Sequence, residues 1–365
     1  MASHKQSTTK EAATAQVIPS KDMARLPENF GPVFFQNQFR TKIDLPTREK
    51  YPNVNNKCAV ITGSNTGLGF ESAKQLLSLG LSHLVLGVRS LEKGKQAATK
   101  LRLVSTTAKI EVYQLDMESY ESIQTFVRKC EENLSRIDIV ILNAGLSPID
   151  FAIVPGTGHE KTIQVNHIST VLLILLFLPV LKSKPKGSDA PRITIINSVM
   201  AHLCKVPNKS KRPFLSSFDD TAITPWDAQE RYGVSKLLLQ LFVVKLAEYI
   251  NPDDITINMV DPGLTKGTGL ARDVRGVTVV AVKVFLSVAG RPVERGAATY
   301  VDAALAHGKE SHGCFLMNCR VSPLSRWYYT DGKVLTDVIW AETLGELSFA
   351  GAQQIIDTMK FTGGN

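Results

Sequence analysis

The sequence has few cysteines and no pattern that would pair them or bind a metal. Five cysteines occur in 365 residues. The number is odd and no CxxC pair is present, which argues against a disulfide framework and against a zinc site. We therefore expect a reducing, cytoplasmic setting and no metal. The first sixteen residues lack the apolar stretch of a secretory signal, which agrees with that expectation.

Two further features that the sequence lacks argue against nucleic-acid binding and against a membrane span. The net charge is +8, but no block of Lys and Arg with interleaved aromatic residues accompanies it, so nucleic-acid binding is not expected. The apolar run 168–181 is too short to span a bilayer and contains Pro179, which favours a buried helix over a stable membrane span. The apolar segment 276–290 suits a core helix or a lid over a substrate pocket, with a helix on a membrane surface as the alternative.

Strand and helix patterns alternate from residue 57 to residue 317. Such alternation predicts a parallel sheet covered on both faces by helices. We predict one α/β domain at 53–350, a Rossmann-type, doubly wound parallel sheet of about seven strands flanked by helices. A partly disordered arm precedes it at 1–52, and a tail follows at 351–365. The predicted strands are 57–62, 83–88, 109–115, 137–142, 192–197, 255–260 and 313–317.

The first strand runs into a glycine-punctuated loop, TGSNTGLG at 62–69, and then into a helix. This order forms a phosphate-binding corner, because the helix N-terminus offers free N–H groups to an anion. Gly63 suits the tight turn, Gly67 a close approach to pyrophosphate and Gly69 close packing of helix on strand. Asn65 and Leu68 complete the candidate contacts. The spacing is not G-x-G-x-x-G, so the motif alone also fits an ordinary loop.

The second strand ends without an acidic residue. A carboxylate there would bond the ribose 2′-OH of NAD, whereas this chain has Arg89, Ser90 and Lys93. A guanidinium and a hydroxyl suit a 2′-phosphate, so we predict NADP(H) as the cofactor. A surface arginine without a ligand is the alternative.

Polar or small residues also follow the third and fourth strands. Asp116 can accept a hydrogen bond from the adenine amino group, or it can cap the next helix. The small residues of Asn143-Ala144-Gly145 let the backbone pass close to a cofactor, and the Asn143 amide can brace neighbouring loops. Taken alone, this tripeptide is also a common turn.

Tyr232 and Lys236 lie four residues apart in a predicted helix, so their side chains share one face. Tyrosine has a pKa of about 10 and is a poor base near neutrality. A neighbouring ammonium favours the phenolate and lowers that pKa, which would let Tyr232 exchange a proton with an alcohol or carbonyl oxygen. In isolation the pair also fits an amphipathic helix with a surface lysine.

Three further stretches add candidates for the same chemistry. Ser198 ends the fifth strand, and its hydroxyl can bond the same substrate oxygen. Asn166 lies in an apolar helix, where a buried amide needs partners. It can hold a water that relays protons from Lys236, or it can kink the helix. Pro262-Gly263 lets the backbone approach the nicotinamide carboxamide, with Thr265 or Thr268 as a hydroxyl donor.

Together these residues resemble the short-chain dehydrogenase/reductase family over residues 55–320. The loop at 62–69 matches the family's TGxxxGxG, and the other motifs follow in the family's order: NAG at 143–145, Asn166, Ser198, Tyr232 with Lys236, and Pro262-Gly263. The resemblance implies a Rossmann-type domain with an Asn-Ser-Tyr-Lys catalytic tetrad, assembled as a homodimer or homotetramer.

More closely, the chain resembles the retinol-dehydrogenase-like branch and the fungal reductases of secondary-metabolite pathways. The N-terminal arm and three segments carry this likeness: VNHISTVLLILLFLPVL, LLLQLFVVKLAEYI and DVIWAET. It implies NADP(H)-dependent interconversion of a ketone or aldehyde and an alcohol on a hydrophobic small molecule.

The chain departs from the family's pattern in three ways. Tyr232 lies 34 residues after Ser198, which is unusually far, and we expect the insertion, near 205–226, to border the substrate pocket. Asp261 stands where Asn or His is more usual. The membrane anchor of several retinol dehydrogenases is missing, which argues against a fixed bilayer location.

Two other functions stay open. One is a non-catalytic NADP(H)-sensing or scaffold protein with the same fold, which the intact Ser198, Tyr232 and Lys236 disfavour. The other is an epimerase or dehydratase that retains its cofactor, usually NAD, which Arg89 disfavours.

Overall fold

The computed structural model describes residues 17–185, 187, 189–267 and 288–360. Within these residues eight strands form one sheet in the order β3-β2-β1-β4-β5-β6-β7-β8. The first seven strands run parallel, and β8 pairs antiparallel with β7. The strands are β1 Cys58–Thr62, β2 His83–Val88, β3 Lys109–Gln114, β4 Ile139–Leu142, β5 Arg192–Ile196, β6 Thr256–Asp261, β7 Phe315–Met317 and β8 Arg320–Ser322.

Helices cover both faces of this sheet. In chain order they are α1 Gly31–Phe35, α2 Gly67–Ser78, α3 Leu91–Arg102, α4 Tyr120–Asn133, α5 Lys161–Ser183, α6 Met200–Leu203, α7 Ala228–Ala247, α8 Val293–Leu305, α9 Arg326–Tyr329, α10 Gly332–Glu346 and α11 Ala352–Met359. Helices α4, α5 and α7 share one apolar core with α10 and α11, whereas α2, α3 and α8 pack on the opposite face.

The predicted doubly wound parallel sheet is confirmed. Every predicted strand is present within two residues at either end, because strands buried on both faces read as nearly continuous apolar runs. The strand order reverses between β1 and β4, where parallel sheets of this kind bind ligands beyond the carboxyl ends of their strands. The candidate residues therefore belong at this edge.

Strand β8 was not predicted, because its turn lacks the usual residues. Asn318 and Cys319 connect β7 to β8, and both have positive φ angles, 53° and 62°. A two-residue hairpin turn of this shape normally contains glycine. Without that signal the sequence did not indicate a hairpin.

Helix α5 is long and apolar enough to cross a membrane, but 89% of its most apolar window is buried within the protein. It is a core helix, as the run 168–181 predicted. Its first part contains a π-turn at Gln164–Ile168. Such turns are frequent at functional sites, and this one carries Asn166.

Both ends of the described chain pack onto the domain. In the predicted arm, Ser20 bonds Phe315 of β7, and Gln38 and Ile43 are buried. Within the predicted tail, Ala352–Met359 form helix α11, whose Ile356 is fully buried. Most of the predicted apolar segment 276–290, up to residue 287, lies outside the described residues.

Candidate active site

The glycine loop after β1 is a tight corner held against the end of β4. Gly63 has φ +63°, and a Cβ there would lie 2.9 Å from the Cα of Ala144. A Cβ on Gly69 would lie 2.5 Å from Asn143 Nδ2 and 2.8 Å from the Gly63 carbonyl oxygen. Real Cβ atoms do not come so close, so these two positions leave room for glycine alone.

Gly67 differs, because the described residues leave the space beside it open. It has φ +61°, and no described atom would lie within 4 Å of a Cβ built on it. It is also the first residue of helix α2, whose N-cap residue Thr66 makes no side-chain cap hydrogen bond. Open space beside uncapped N–H groups at a helix N-terminus is the arrangement that binds a phosphate group. The corner therefore fits the pyrophosphate of a nicotinamide cofactor, with Asn65 and Leu68 in the same loop.

Asn143 and Ala144 fasten the end of β4 to this corner. The Asn143 amide donates to the carbonyl oxygens of Thr62 at 2.9 Å and Gly63 at 3.0 Å. The Ala144 N–H donates to Thr62 Oγ1 at 2.9 Å. Asn143 thus braces the loop, the role that the sequence suggested for its amide.

Arg89 extends from the end of β2 with 70% of its side chain exposed. Its guanidinium pairs with Glu118 at 3.1 Å, and Glu118 also pairs with Lys161 at 2.9 Å. Ser90 caps helix α3 by accepting from the Lys93 N–H at 3.4 Å. The basic group is accessible to a ligand, but a carboxylate lies beside it.

Asp116 has a local partner. Its carboxylate accepts from the Glu118 N–H at 3.0 Å, while Ser119 is the residue that caps helix α4. Asp116 therefore shapes the turn after β3 without acting as the helix cap.

Asn166 lies fully buried in the π-turn of α5 and links three parts of the site. Its side-chain oxygen accepts from the Leu146 N–H at 2.9 Å, and its Nδ2 donates to the Leu146 carbonyl at 2.8 Å and to Ser235 Oγ at 3.0 Å. A Cβ on Gly145 would lie 3.2 Å from the same oxygen and 3.6 Å from Lys236 Nζ. Asn166 thus joins the end of β4 to the helix that carries Tyr232.

Tyr232 and Ser198 lie within hydrogen-bond distance of each other. A hydrogen bond from the Ser198 side chain lowers the pKa of Tyr232, but burial and the nearby Asp261 carboxylate raise it more, so the net shift is upward. This direction is opposite to the one that the tyrosine–lysine spacing suggested. In this environment Tyr232 is protonated at neutral pH.

Lys236 is buried, and its Nζ lies 5.7 Å from the centre of the Tyr232 ring. The ammonium donates to the Ile196 carbonyl at 2.9 Å, and burial lowers its pKa to about 8. An ammonium has three donors, so this bond leaves two for a ligand or water. Asn197 holds the same helix by donating to the Lys236 carbonyl at 3.1 Å.

Asp261, the unusual residue at the end of β6, connects two loops. One carboxylate oxygen accepts from the Val199 N–H and the other from the Gly263 N–H, each at 3.0 Å. Burial raises the pKa of this carboxyl. Asp261 thereby holds the Ser198 loop and the Pro262-Gly263 loop side by side.

The sequence did not reveal what holds the Pro262-Gly263 loop from outside. Thr265 is buried, and its hydroxyl bonds the Gly263 carbonyl at 3.1 Å. Thr268 lies outside the described residues. Gln38 and Arg291 also contact this loop, and no local signal marks either residue, because both are distant from the loop in sequence.

The predicted insertion is anchored on two sides. Trp226 Nε1 donates to the Ile149 carbonyl at 2.7 Å, and its ring lies 5.7 Å from that of Phe151. On the other side, Glu342 of α10 accepts from two backbone N–H groups at the cis-proline turn 213–215. Trp226, six residues before Tyr232, thus brings the segment of Ile149 and Phe151 close to the start of α7.

A charged cluster holds the insertion to its neighbours. His159 lies 3.0 Å from Asp219 and 3.4 Å from Glu346, and hydrogen bonds to these two carboxylates raise its pKa to about 9. Beside it, the buried pair Glu160–Arg231 is 3.1 Å apart. Arg231 directly precedes Tyr232, so this cluster fixes the start of helix α7.

Comparisons with known proteins agree with this geometry. The family model described as short chain dehydrogenase matches residues 57–210. The chain is 46% identical to the short chain dehydrogenase/reductase mfmJ of Annulohypoxylon moriforme, over 94% of this chain and 99% of that protein. It is 41% identical to the short chain dehydrogenase virL of Hypocrea virens, over 90% and 94%.

A solved structure shows the same fold at lower identity. The RhlG/NADP active-site complex of Pseudomonas aeruginosa superimposes with a TM-score of 0.54 at 23% identity, and the match covers 72% of this chain and 94% of that one. Because its sheet has this topology and two relatives match it over at least 90% of its length, the chain belongs to the short-chain dehydrogenase/reductase family and is an oxidoreductase that binds a nicotinamide cofactor.

Proposed function

We propose that this enzyme uses NADP(H) to interconvert a ketone or aldehyde and an alcohol on a hydrophobic small molecule. The observation that carries the proposal is the convergence of Ser198, Tyr232 and Lys236 at the carboxyl edge of the sheet. The phosphate corner at Gly67 lies on the same edge. Proton-transfer groups and a cofactor cradle thus share one site.

The residues would hold the cofactor from both ends. The Gly63–Gly69 loop suits the pyrophosphate, and Arg89, Ser90 and Lys93 suit the 2′-phosphate. Asp116 lies at the adenine side. The segments 143–145 and 262–265, with Tyr232 and Lys236, suit the nicotinamide side. When bound, the nicotinamide supplies or accepts the hydride.

The protein's part is to orient the reacting oxygen and to move its proton. Tyr232 is protonated at neutral pH, which is the form that donates to a carbonyl oxygen during reduction. Ser198 holds the same oxygen. Lys236, with a pKa of about 8, reloads Tyr232 with a proton through water held at Asn166.

The loops around the site favour an apolar substrate. Ile149, Ile153 and Leu203 are each about two-fifths exposed, at 38%, 37% and 41%. They follow β4 and β5, and Trp226 and Phe151 add aromatic surface beside them. Partly exposed apolar side chains beside the site suit contact with a hydrophobic carbonyl compound.

The biological setting is also part of the proposal. Relatives from several fungi match the sequence over at least 90% of its length, and we infer a role in a secondary-metabolite pathway. The five cysteines are free and four of them are buried, which suits the reducing cytoplasm. A homodimer or homotetramer is the expected assembly.

Replacement of Tyr232 by Phe tests the chemistry. With a panel of hydrophobic ketones and aldehydes, NADPH oxidation should fall by roughly 10²- to 10⁴-fold, the usual contribution of a positioned acid or base. The protein should still bind NADPH, because the Gly63–Gly69 loop, Arg89 and Lys236 are all retained.

Tyr249→Phe is a matched control, because Tyr249 stacks on Trp340 at 5.2 Å beyond the end of the same helix. It should keep full activity. Wild-type turnover in Tyr232→Phe would refute the mechanism, and tight NADPH binding without turnover in the wild-type protein would favour a sensing or scaffold role.

A further inference from the structure

One residue of the N-terminal arm reaches the loop that follows β6. Gln38 is 8% exposed, and its amide makes three hydrogen bonds. Its Nε2 donates to the carbonyl oxygens of Leu264 at 2.8 Å and Ala289 at 2.7 Å, and its Oε1 accepts from the Leu264 N–H at 3.1 Å. The side chain therefore bonds both polar backbone groups of Leu264, 226 residues further along the chain.

Arg291 closes the same junction from another direction. Its guanidinium donates to the Pro262 carbonyl at 3.4 Å and also to the Asn37 carbonyl and the Asn318 side chain. A Cβ built on Gly263 would lie 2.8 Å from Arg291 Nη1 and 3.2 Å from Gln38 Oε1. The loop is thus enclosed by the arm and by Arg291, without space to shift towards them.

Asp261 limits the loop on the opposite side through its bond to the Gly263 N–H. The Gly263 N–H is thus held by Asp261, and the Leu264 N–H is held by Gln38. Without Gln38, the Ala289 carbonyl and the Leu264 N–H would lose this partner, and the Leu264 carbonyl would keep only its bond from the Arg291 N–H at 2.8 Å. Because unpaired buried groups are costly, the loop would move to satisfy them.

We propose that Gln38 is a positioning residue for the nicotinamide half of the cofactor, so that the N-terminal arm is a working part of the cofactor site. This inference rests on the proposed function, in which Pro262 and Gly263 face the nicotinamide. Gln38 acts through the loop and does not touch the cofactor. It bears on the nicotinamide end alone, because the phosphate corner at Gly67 and the Arg89 end are held by other residues.

The test compares a whole cofactor with a fragment that lacks the nicotinamide. NADPH and adenosine 2′,5′-bisphosphate are each titrated against the full-length wild-type protein and Gln38→Ala. We expect the Kd for NADPH to rise about tenfold, the effect of losing one to two net hydrogen bonds. The Kd for the bisphosphate should change less than about twofold, because its contacts lie at the adenine end.

Two variants separate positioning from general stability. Gln36→Ala removes the same side-chain type from the same turn, but Gln36 is exposed, so both Kd values should match the wild type. Gln38→Glu keeps the shape and the bond to the Leu264 N–H but loses both donations, so it should weaken NADPH at least as much as Gln38→Ala. It also serves as the test variant if Gln38→Ala does not fold.

The outcomes distinguish this inference from the proposed function. If wild type binds neither ligand, the proposed function fails, and the inference fails with it. If wild type binds both, equal Kd values in wild type and Gln38→Ala would overturn the positioning role alone. Equal weakening of both ligands would also overturn it, because a merely destabilised protein would lose affinity without regard to the nicotinamide.

Discussion

Replacement of Arg89 by Ala should convert a preference for NADPH into near equality between NADPH and NADH. Arg89 stands at the end of β2 with its side chain 70% exposed, and it is bound only loosely by Glu118 at 3.1 Å. A 2′-phosphate would compete with that carboxylate for the guanidinium. The cost of binding is therefore the loss of one surface ion pair.

The magnitude follows from comparing the two partners. An exposed ion pair contributes about 0–1 kcal/mol, whereas a hydrogen bond to a charged group contributes about 1.5–3 kcal/mol. The difference of about 1–2 kcal/mol corresponds to roughly a 5- to 30-fold change in Kd. NADH lacks the 2′-phosphate, so its Kd should change by less than about twofold in Arg89→Ala.

Fluorescence titration of both cofactors on the wild type and three variants checks this prediction. Glu118→Gln removes the competing carboxylate and should tighten NADPH binding, since it leaves Arg89 free and lowers the negative charge nearby. Arg128→Ala on the exposed surface of α4 is a matched control that should change neither cofactor. An equal loss of NADPH and NADH binding in Arg89→Ala would refute the reasoning, as would no loss at all.

Two further predictions concern packing and pH. Gly69→Ala should destabilise the fold by about 1–3 kcal/mol through overpacking against Asn143. Gly345→Ala, where a Cβ would lie within 4 Å of no described atom, should be neutral or stabilising, and urea unfolding of both variants measures the difference. His159 has a folded pKa of about 9, above its unfolded value, so its contribution is complete below about pH 6.5 and is lost as pH rises through 9, by up to about 3 kcal/mol. Unfolding free energies between these pH values should fall in the wild type and stay flatter in His159→Gln, and equal slopes would contradict the assignment.

Most of the fold could be predicted from local sequence patterns. The seven parallel strands could be predicted because each is a short apolar run between helical segments, and this periodicity is a property of neighbouring residues. The segment at β8 has no such pattern, since an Asn-Cys turn with positive φ angles replaces the glycine that marks most hairpins. Helix α11 has apolar residues at helical spacing, Ala352, Ile356 and Met359, but it is only eight residues long and lies in the stretch 351–365 that was predicted as a tail.

In the candidate site, too, the sequence predicted short-range features but not those that depend on distant residues. The glycine corner and the pair Tyr232 and Lys236 are short-range motifs, so their residues could be named from spacing alone. The direction of the Tyr232 pKa could not, because it depends on burial and on Asp261, which reaches the site from a different strand.

The sequence by itself determined the order of strands and helices, the phosphate corner and the identity of the proton-transfer candidates. Each of these depends on residues within a few positions of one another. The tertiary structure decided which distant groups meet: Gln38 with Leu264, Asp261 with both site loops, and Arg89 with Glu118. Those contacts depend on how the chain packs in space. Burial and nearby charges shift the pKa of a group according to its distance from other groups in the fold, and that distance is not set by their separation in the sequence.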